Sequence, residues 1–296
     1  VQPLIPYFDV PVLQIGPLPI HGFGVLVALG FVFGGQLATD RARRLGLDAD
    51  AINRLIGWLV VGTFVGGHVG YGLMYEPKHY FENPVEFLKV WHGLSSMGGF
   101  VVCVPLSIYF FWKNKLPILP YVDCLAYGLT MGWFLGRMGC TVAHDHPGTP
   151  ANDFFLGIYC RPVEGHTLEL PTFLTSGARG APWGPCEDDP MVYAAHDMGF
   201  YEALWSLGMY GVYRFMDRVP RTPGIYAMLL GAAYGPVRFF MDFLRPESTD
   251  VRYLGLTPAQ YWAAIFFLVC SGLVVWQVRK NEPHYWPAEP PKPTGA

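Results

Sequence analysis

The chain has 296 residues, 52% of them hydrophobic and only 15% charged, with a formal net charge of -3 and a mean hydropathy of +0.27. The charged fraction lies well below the quarter or so usual in soluble domains, and apolar runs of about twenty residues are too long for an ordinary soluble core. A soluble enzyme is excluded, and nothing in the charge suggests nucleic acid. With 35 Gly, 21 Phe, 17 Tyr and 9 Trp, the composition is that of a polytopic helical membrane protein, in which glycine and interfacial aromatics are enriched.

Taken in order, Val1 to Pro19 is a proline-rich lead-in without the basic start of a signal peptide. Insertion is therefore expected to come from the spans themselves. The first span runs over Ile20–Ala38 and ends in a basic cluster, Arg41, Arg43 and Arg44. The second covers Leu55–Tyr75, where Gly62, Gly66, Gly67, Gly70 and Gly72 read as a close helix–helix seam. The third, Phe87–Trp112, begins with the small and polar stretch from His92 to Gly99. Broken backbone is tolerated in a membrane only where protein or a polar cavity satisfies it. Tyr121–Ala143 is the fourth span and carries Arg137. His196–Met216 is the fifth, Gly224–Leu244 the sixth and Pro258–Val278 the seventh.

Basic residues follow spans one, three, five and seven, and the alternate loops are acidic or mixed, so the positive-inside rule sets the orientation. The expected fold is thus an all-α polytopic membrane protein of about seven transmembrane helices, N-terminus outside and C-terminus cytoplasmic. Residues 1–280 form the membrane domain, with an outer loop or small cap over 144–195. Residues 281–296 form a Pro-rich cytoplasmic tail. Cys160 and Cys186 are the only cysteines of that outer loop, and in an oxidising compartment they are expected to pair. Cys103, Cys124 and Cys270 read as small hydrophobes, whereas Cys140 is ambiguous.

A guanidinium within a span is costly unless it is paired or faces a polar cavity. Arg137 converges by topology with Arg238 and Arg245, and Arg238, Asp242 and Arg245 at i, i+4 and i+7 share one helix face. Arginines in a low-dielectric pocket hold phosphate oxygens bidentately, so a phospholipid phosphate is the expected anion. The plain alternative is an internal Arg–Asp brace. His144, Asp145 and His146 follow the fourth span. They suit a general base with its carboxylate partner, and the alternative is loop or capping duty. With no evident third histidine, no metal is expected there, and no cofactor is called for. His92 near the third span, and His196 with Tyr201 and Glu202 at the start of the fifth, are further residues able to face the same cavity.

From Ile15 to Trp276 the chain resembles the bacterial prolipoprotein diacylglyceryl transferases. The resemblance rests on Phe87-Leu88-Lys89-Val90-Trp91, on the pair Gly98-Gly99, on Gly136-Arg137-x-Gly139, and on His196 with Tyr201-Glu202. It also rests on Tyr234-Gly235-x-x-Arg238-Phe239-x-x-Asp242-x-x-Arg245. It implies transfer of diacylglyceryl from phosphatidylglycerol to a cysteine thiol of an exported lipoprotein precursor, at the outer leaflet of the bacterial inner membrane. Arg137 matches the family's essential arginine and Arg238 its second. Arg137, Arg238, Asp242, Arg245, His196, Tyr234, Gly98 and Gly99 are the expected lipid-binding residues. Catalytic roles would fall to Arg137, Arg238, His92, His144, Asp145 and His146. The chain departs from the family at Met97, where a histidine is usual, at Phe23 for tyrosine and at Cys140 for asparagine. Asp145 and Asp242 stand for glutamates. The alternative reading is a catalytically altered protein that binds anionic lipid, or a subunit of a larger membrane complex.

Overall fold

The computed structural model describes residues 2–9, 12–15, 18–89, 93–168, 181–247 and 252–280. The Pro-rich tail and His92 lie outside the described residues. The chain divides into two compact units. One comprises the residues up to Leu37 and those from Leu125 onward, and the other spans Ala38–Cys124.

In the first unit, strands β1 (Val12–Ile15) and β2 (Leu18–His21) form an antiparallel hairpin that leads into α1 (Gly22–Arg44). Helix α5 (Ile118–Ala143) approaches α1 so closely that a Cβ on Gly30 would stand 2.8 Å from the carbonyl oxygen of Gly132. Small residues are what allow such contact between apolar helices. In the second unit, α2 (Ala49–Met74) packs on α4 (Ser96–Lys113), and Gly66 meets Val102 and the Gly98 carbonyl in the same manner. Asp48 caps α2 by accepting from the Ala51 amide at 3.0 Å, and Ser95 caps α4 from the Gly98 amide at 3.4 Å. Between them lie α3 (Pro77–Glu82) and a 3-10 turn, Pro84–Leu88.

Beyond α5 the first unit continues into a small β-layer. Strands β3 (Pro147–Pro150), β4 (Ile158–Tyr159) and β5 (Ala194–Asp197) form an antiparallel sheet with β5 in the centre. Cys160 and Cys186 are joined by a disulfide, with Cα atoms 5.8 Å apart, and Cys186 lies on the short helix α6 (Pro185–Asp188). Around it pack Tyr7, Ile158, Tyr159, Trp183 and Val192. The Arg161 guanidinium closes this layer by donating to the carbonyls of Cys186, Asp189 and Pro190. Strand β5 runs straight into α7 (Met198–Met216), whose cap is Asp197, accepting from the Phe200 amide at 2.7 Å. Helices α8 (Ile225–Met241) and α9 (Pro258–Lys280) complete the unit. Tyr127, Tyr213 and Tyr226 fill the core between α5, α7 and α8.

Among the described residues four helices, α1, α2, α5 and α9, are long and apolar enough to cross a membrane. This corrects the expected seven. The third expected span loses its beginning to the 3-10 turn and to non-helical Gly93–Ser95, which leaves a shorter apolar helix over Gly98–Lys113. The apolar run of α7 is broken by Tyr201, Glu202, Tyr210, Tyr213 and Arg214. Helix α8 has 17 residues because the chain tightens into a 3-10 turn at Asp242–Leu244. At 1.5 Å per residue it is about 25 Å long, short of a hydrocarbon core of about 30 Å. The four qualifying helices expose large apolar side chains such as Val32, Val61 and Leu268, each more than 60% accessible. Such apolar surface is costly against water and suited to lipid, and the chain is a multi-pass membrane protein.

Candidate functional site

The site is built around one carboxylate. Glu202, on the first turns of α7, is 1% exposed and receives partners from two other helices. Arg137 of α5 forms an ion pair with its Nε 2.7 Å from Oε2, and Arg238 of α8 donates from Nη1 to Oε1 at 3.4 Å. Trp133 Nε1 at 3.3 Å and the Tyr234 hydroxyl at 3.2 Å also donate to Oε2. Trp133 lies one turn before Arg137, so its ring sits beneath the guanidinium, 5.0 Å from it. A buried carboxylate is costly unless its lone pairs are satisfied. Here three hydrogen-bond donors and the charge of Arg137 satisfy it, and the two arginines are thereby held relative to each other. They remain about a fifth exposed, enough for a ligand to reach them.

Asp242 is fully buried and orders the far side of Arg238. Arg238 Nη2 and Arg245 Nη1 stand 3.3 and 3.8 Å from Asp242 Oδ1. Neither points along a hydrogen-bond direction, so Oδ1 is held by charge alone. The other oxygen, Oδ2, accepts from the Thr257 hydroxyl at the start of α9. Arg245 does not share a helix face with Arg238 and Asp242, as the i, i+7 spacing suggested. It follows the 3-10 turn in extended backbone and reaches Asp242 from there.

The histidines separate sharply. His144 has a positive φ of 51°. Its ring is stacked on Trp183 with centroids 4.3 Å apart, packs against Phe8, and is hydrogen-bonded through Nε2 to the Phe8 carbonyl at 3.0 Å. Burial holds its pKa below the usual value. His196 donates from Nδ1 to the Tyr201 hydroxyl at 2.8 Å, because that hydroxyl in turn donates to the Leu156 carbonyl. Its pKa is also lowered by burial. His146 stands apart. Its Nδ1 lies 2.5 Å from Asp145 Oδ1, and hydrogen bonds to Asp145 and then to Cys140 push its pKa up to about 9. Cys140 is itself buried, with Arg137 Nη1 3.9 Å from its sulfur. A continuous series of contacts therefore runs Glu202, Arg137, Cys140, His146, Asp145.

Of the residues singled out in the sequence, Arg137, Arg238, Asp242, Arg245 and Tyr234 come together here, and His146 and Asp145 join through Cys140. His144 and His196 are engaged in packing the β-layer. Gly98 and Gly99 begin α4 in the other unit, where Gly98 faces Gly66 and Gly70. His92 lies outside the described residues. Sequence reasoning had Glu202 only as one acid able to face the cavity, and gave no role to Trp133. The signal for Trp133 was its i, i+4 spacing to Arg137.

Compared with known proteins, residues 11–276 match the family model described as prolipoprotein diacylglyceryl transferase. A phosphatidylglycerol–prolipoprotein diacylglyceryl transferase of Anaplasma marginale (strain Florida) is 29% identical over 281 residues, covering 94% of this chain and 90% of the relative. The protein of the same description from Salmonella choleraesuis (strain SC-B67) is 27% identical over 285 residues, covering 93% and 95%.

Proposed function

Because the chain belongs to the prolipoprotein diacylglyceryl transferase family, we propose that it moves diacylglyceryl from phosphatidylglycerol to a cysteine thiol of an exported lipoprotein precursor. The site would face the outer leaflet of the bacterial cytoplasmic membrane, where both substrates meet. The observation that carries this reading is the pair of arginines from two helices fixed on the two oxygens of buried Glu202.

The reaction is a displacement at the glyceryl carbon that bears the phosphate. The acceptor sulfur forms a C–S bond, the C–O bond to phosphate breaks, and its electron pair leaves on glycerol phosphate. Charge grows on the leaving phosphate, and donors already aimed at that charge lower the barrier. Arg137 spends Nε on Glu202 and Nη1 toward Cys140, which leaves Nη2 for a phosphate oxygen. Arg238 approaches from the opposite oxygen of Glu202. Glu202, Trp133 and Tyr234 are positioning residues in this scheme. Since the thiolate is the nucleophile, the acceptor's proton must be taken up close by. His144 is committed to Phe8 and Trp183, which leaves Cys140, Asp145 and His146 as the group beside Arg137 that would favour the acceptor's thiolate.

The test is purified protein in phosphatidylglycerol vesicles with a lipobox peptide, followed by mass spectrometry. A thioether-linked diacylglyceryl peptide is expected, and Arg137→Ala should abolish it. Tight binding of phosphatidylglycerol without any product would favour a lipid-binding role and overturn this one.

A further inference from the structure

Cys140 departs from the family pattern, and its surroundings give the departure a use. One ligand atom each from Cys140, Asp145 and His146 lies within 4.8 Å of the others. The backbone is built to bring them together. Cys140 sits in the last turn of α5, and His144 then turns the chain through its positive φ, held between Phe8 and Trp183. The Asp145 amide returns to the Cys140 carbonyl at 3.4 Å, and the His146 carbonyl accepts from the Met198 amide at 3.1 Å. His144 thus shapes the loop, and the two residues after it are folded back over the cysteine.

We propose that Cys140, Asp145 and His146 bind a divalent zinc-type cation whose fourth position stays open for the sulfur of the acceptor. Thiolate, imidazole and carboxylate together suit zinc and not the hard cations magnesium or calcium, which take oxygen ligands. Three protein ligands with one open position is the pattern of catalytic rather than structural zinc. Bonds of about 2.0–2.3 Å space tetrahedral ligands roughly 3.5 Å apart, so no ligand atom needs to move by much more than about 1 Å. Atoms up to 4.8 Å apart close, and His146 Nδ1 and Asp145 Oδ1, 2.5 Å apart, open as the metal replaces the proton between them.

A second observation supports a cation here. Asp197 is fully buried, and its Oδ1 accepts from Thr141 and the Phe200 amide, while its Oδ2 has no hydrogen-bond partner. Burial first of all pushes its pKa up to about 6, and it feels the charges of both His146 and Asp145, so a cation here would favour its ionised form. The cluster therefore combines two carboxylates and a thiol beside one histidine. The nearest guanidinium, Arg137, is already paired with Glu202. A dication would balance this charge.

Metal binding releases the thiol proton of Cys140 and leaves His146 neutral. An acceptor thiol entering the fourth position loses its proton to water and binds as thiolate. That thiolate then attacks the glyceryl carbon, while the phosphate departs onto Arg137 and Arg238. Only this last use rests on the transferase reading; metal binding does not.

The experiment is a Co(II) titration of the full chain, purified in detergent with chelator and then freed of it. One Co(II) per chain is expected, with tetrahedral visible bands and a near-ultraviolet thiolate-to-metal charge-transfer band, both displaced by Zn(II). Cys140→Ser should abolish the charge-transfer band. His146→Ala should weaken binding by more than about 100-fold, beyond the 10–100-fold usual for outer partners of a metal site. Asp197→Asn, which removes no ligand, should weaken it by about 10-fold. The triple variant Cys103→Ser, Cys124→Ser, Cys270→Ser should keep the band, and retained phosphatidylglycerol binding reports that each variant is folded. The proposal is overturned if no such band appears, or if the band survives in Cys140→Ser. Metal binding without thioether formation would sink the transferase reading alone. Turnover that ignores a strong chelator, with no Co(II) bound, would sink the metal alone.

Discussion

Replacing Glu202 by glutamine tests whether that carboxylate positions the two arginines. Glu202 serves Arg137 at 2.7 Å, Tyr234 at 3.2 Å, Trp133 at 3.3 Å and Arg238 at 3.4 Å. Glutamine has a single acceptor oxygen, and its NH2 group would point at a guanidinium. At least one arginine must then leave its place. Breaking a buried ion pair by removing one partner costs about 3–5 kcal/mol, and the arginines are a fifth exposed, so the lower end of about 3 kcal/mol applies. That cost falls on stability; for turnover, an arginine displaced from the leaving phosphate is the loss of one preorganised donor, worth roughly 100-fold in kcat. Binding of phosphatidylglycerol should not fall with it, because the change removes a negative charge from beside the phosphate. The assay is kcat for thioether formation alongside vesicle-binding affinity, measured for wild type and Glu202→Gln. Unchanged kcat, or parallel loss of binding and turnover, would refute the positioning role.

Three further outcomes follow from the same contacts. Thr257→Val removes the hydroxyl that donates to Asp242 Oδ2, leaving a buried carboxylate oxygen without a donor. A loss of about 2 kcal/mol is expected, read as a lowered Tm in detergent. Cys160→Ser opens a loop whose ends are 26 residues apart. The loop-closure relation gives about 3.5 kcal/mol, and limited proteolysis should then cut the β-layer first. Gly30→Val places a side chain against the Gly132 carbonyl at 2.8 Å. Backbone cannot give way there, so a loss of about 3 kcal/mol and poor accumulation in the membrane are expected, whereas Gly24→Ala, with open space around it, should be neutral.

Much of this protein was legible before its structure, and the limits have physical causes. Hydropathy marks where apolar chain lies, so α1, α2, α5 and α9 stood out as long runs. It does not mark where a helix begins or tightens. Ser95 starts α4 late and Asp242 ends α8 early, and for this reason a count of seven full spans was too high. Arg137 and Arg238 stood out because an arginine among apolar residues is costly. Glu202 was marked as an acid able to face the same cavity, but its role in fixing both arginines was not legible, because nothing in the spacing says which helices will meet it. His144 and His146 are two positions apart and indistinguishable by spacing. They are told apart by Phe8 and Trp183, distant in the chain but both packed against the His144 ring. Cys140 was ambiguous for the same reason. Its neighbours Asp145 and His146 reach it only because His144 turns the chain back.

The central claim is tested most directly by mass balance in a single reaction. Wild-type protein, phosphatidylglycerol vesicles and a lipobox peptide are incubated together, and thioether-linked peptide and released glycerol phosphate are both counted. The account predicts that they appear in equal amounts, and that neither appears with Arg137→Ala. Phosphatidylglycerol held by the wild-type protein while neither product forms would contradict it.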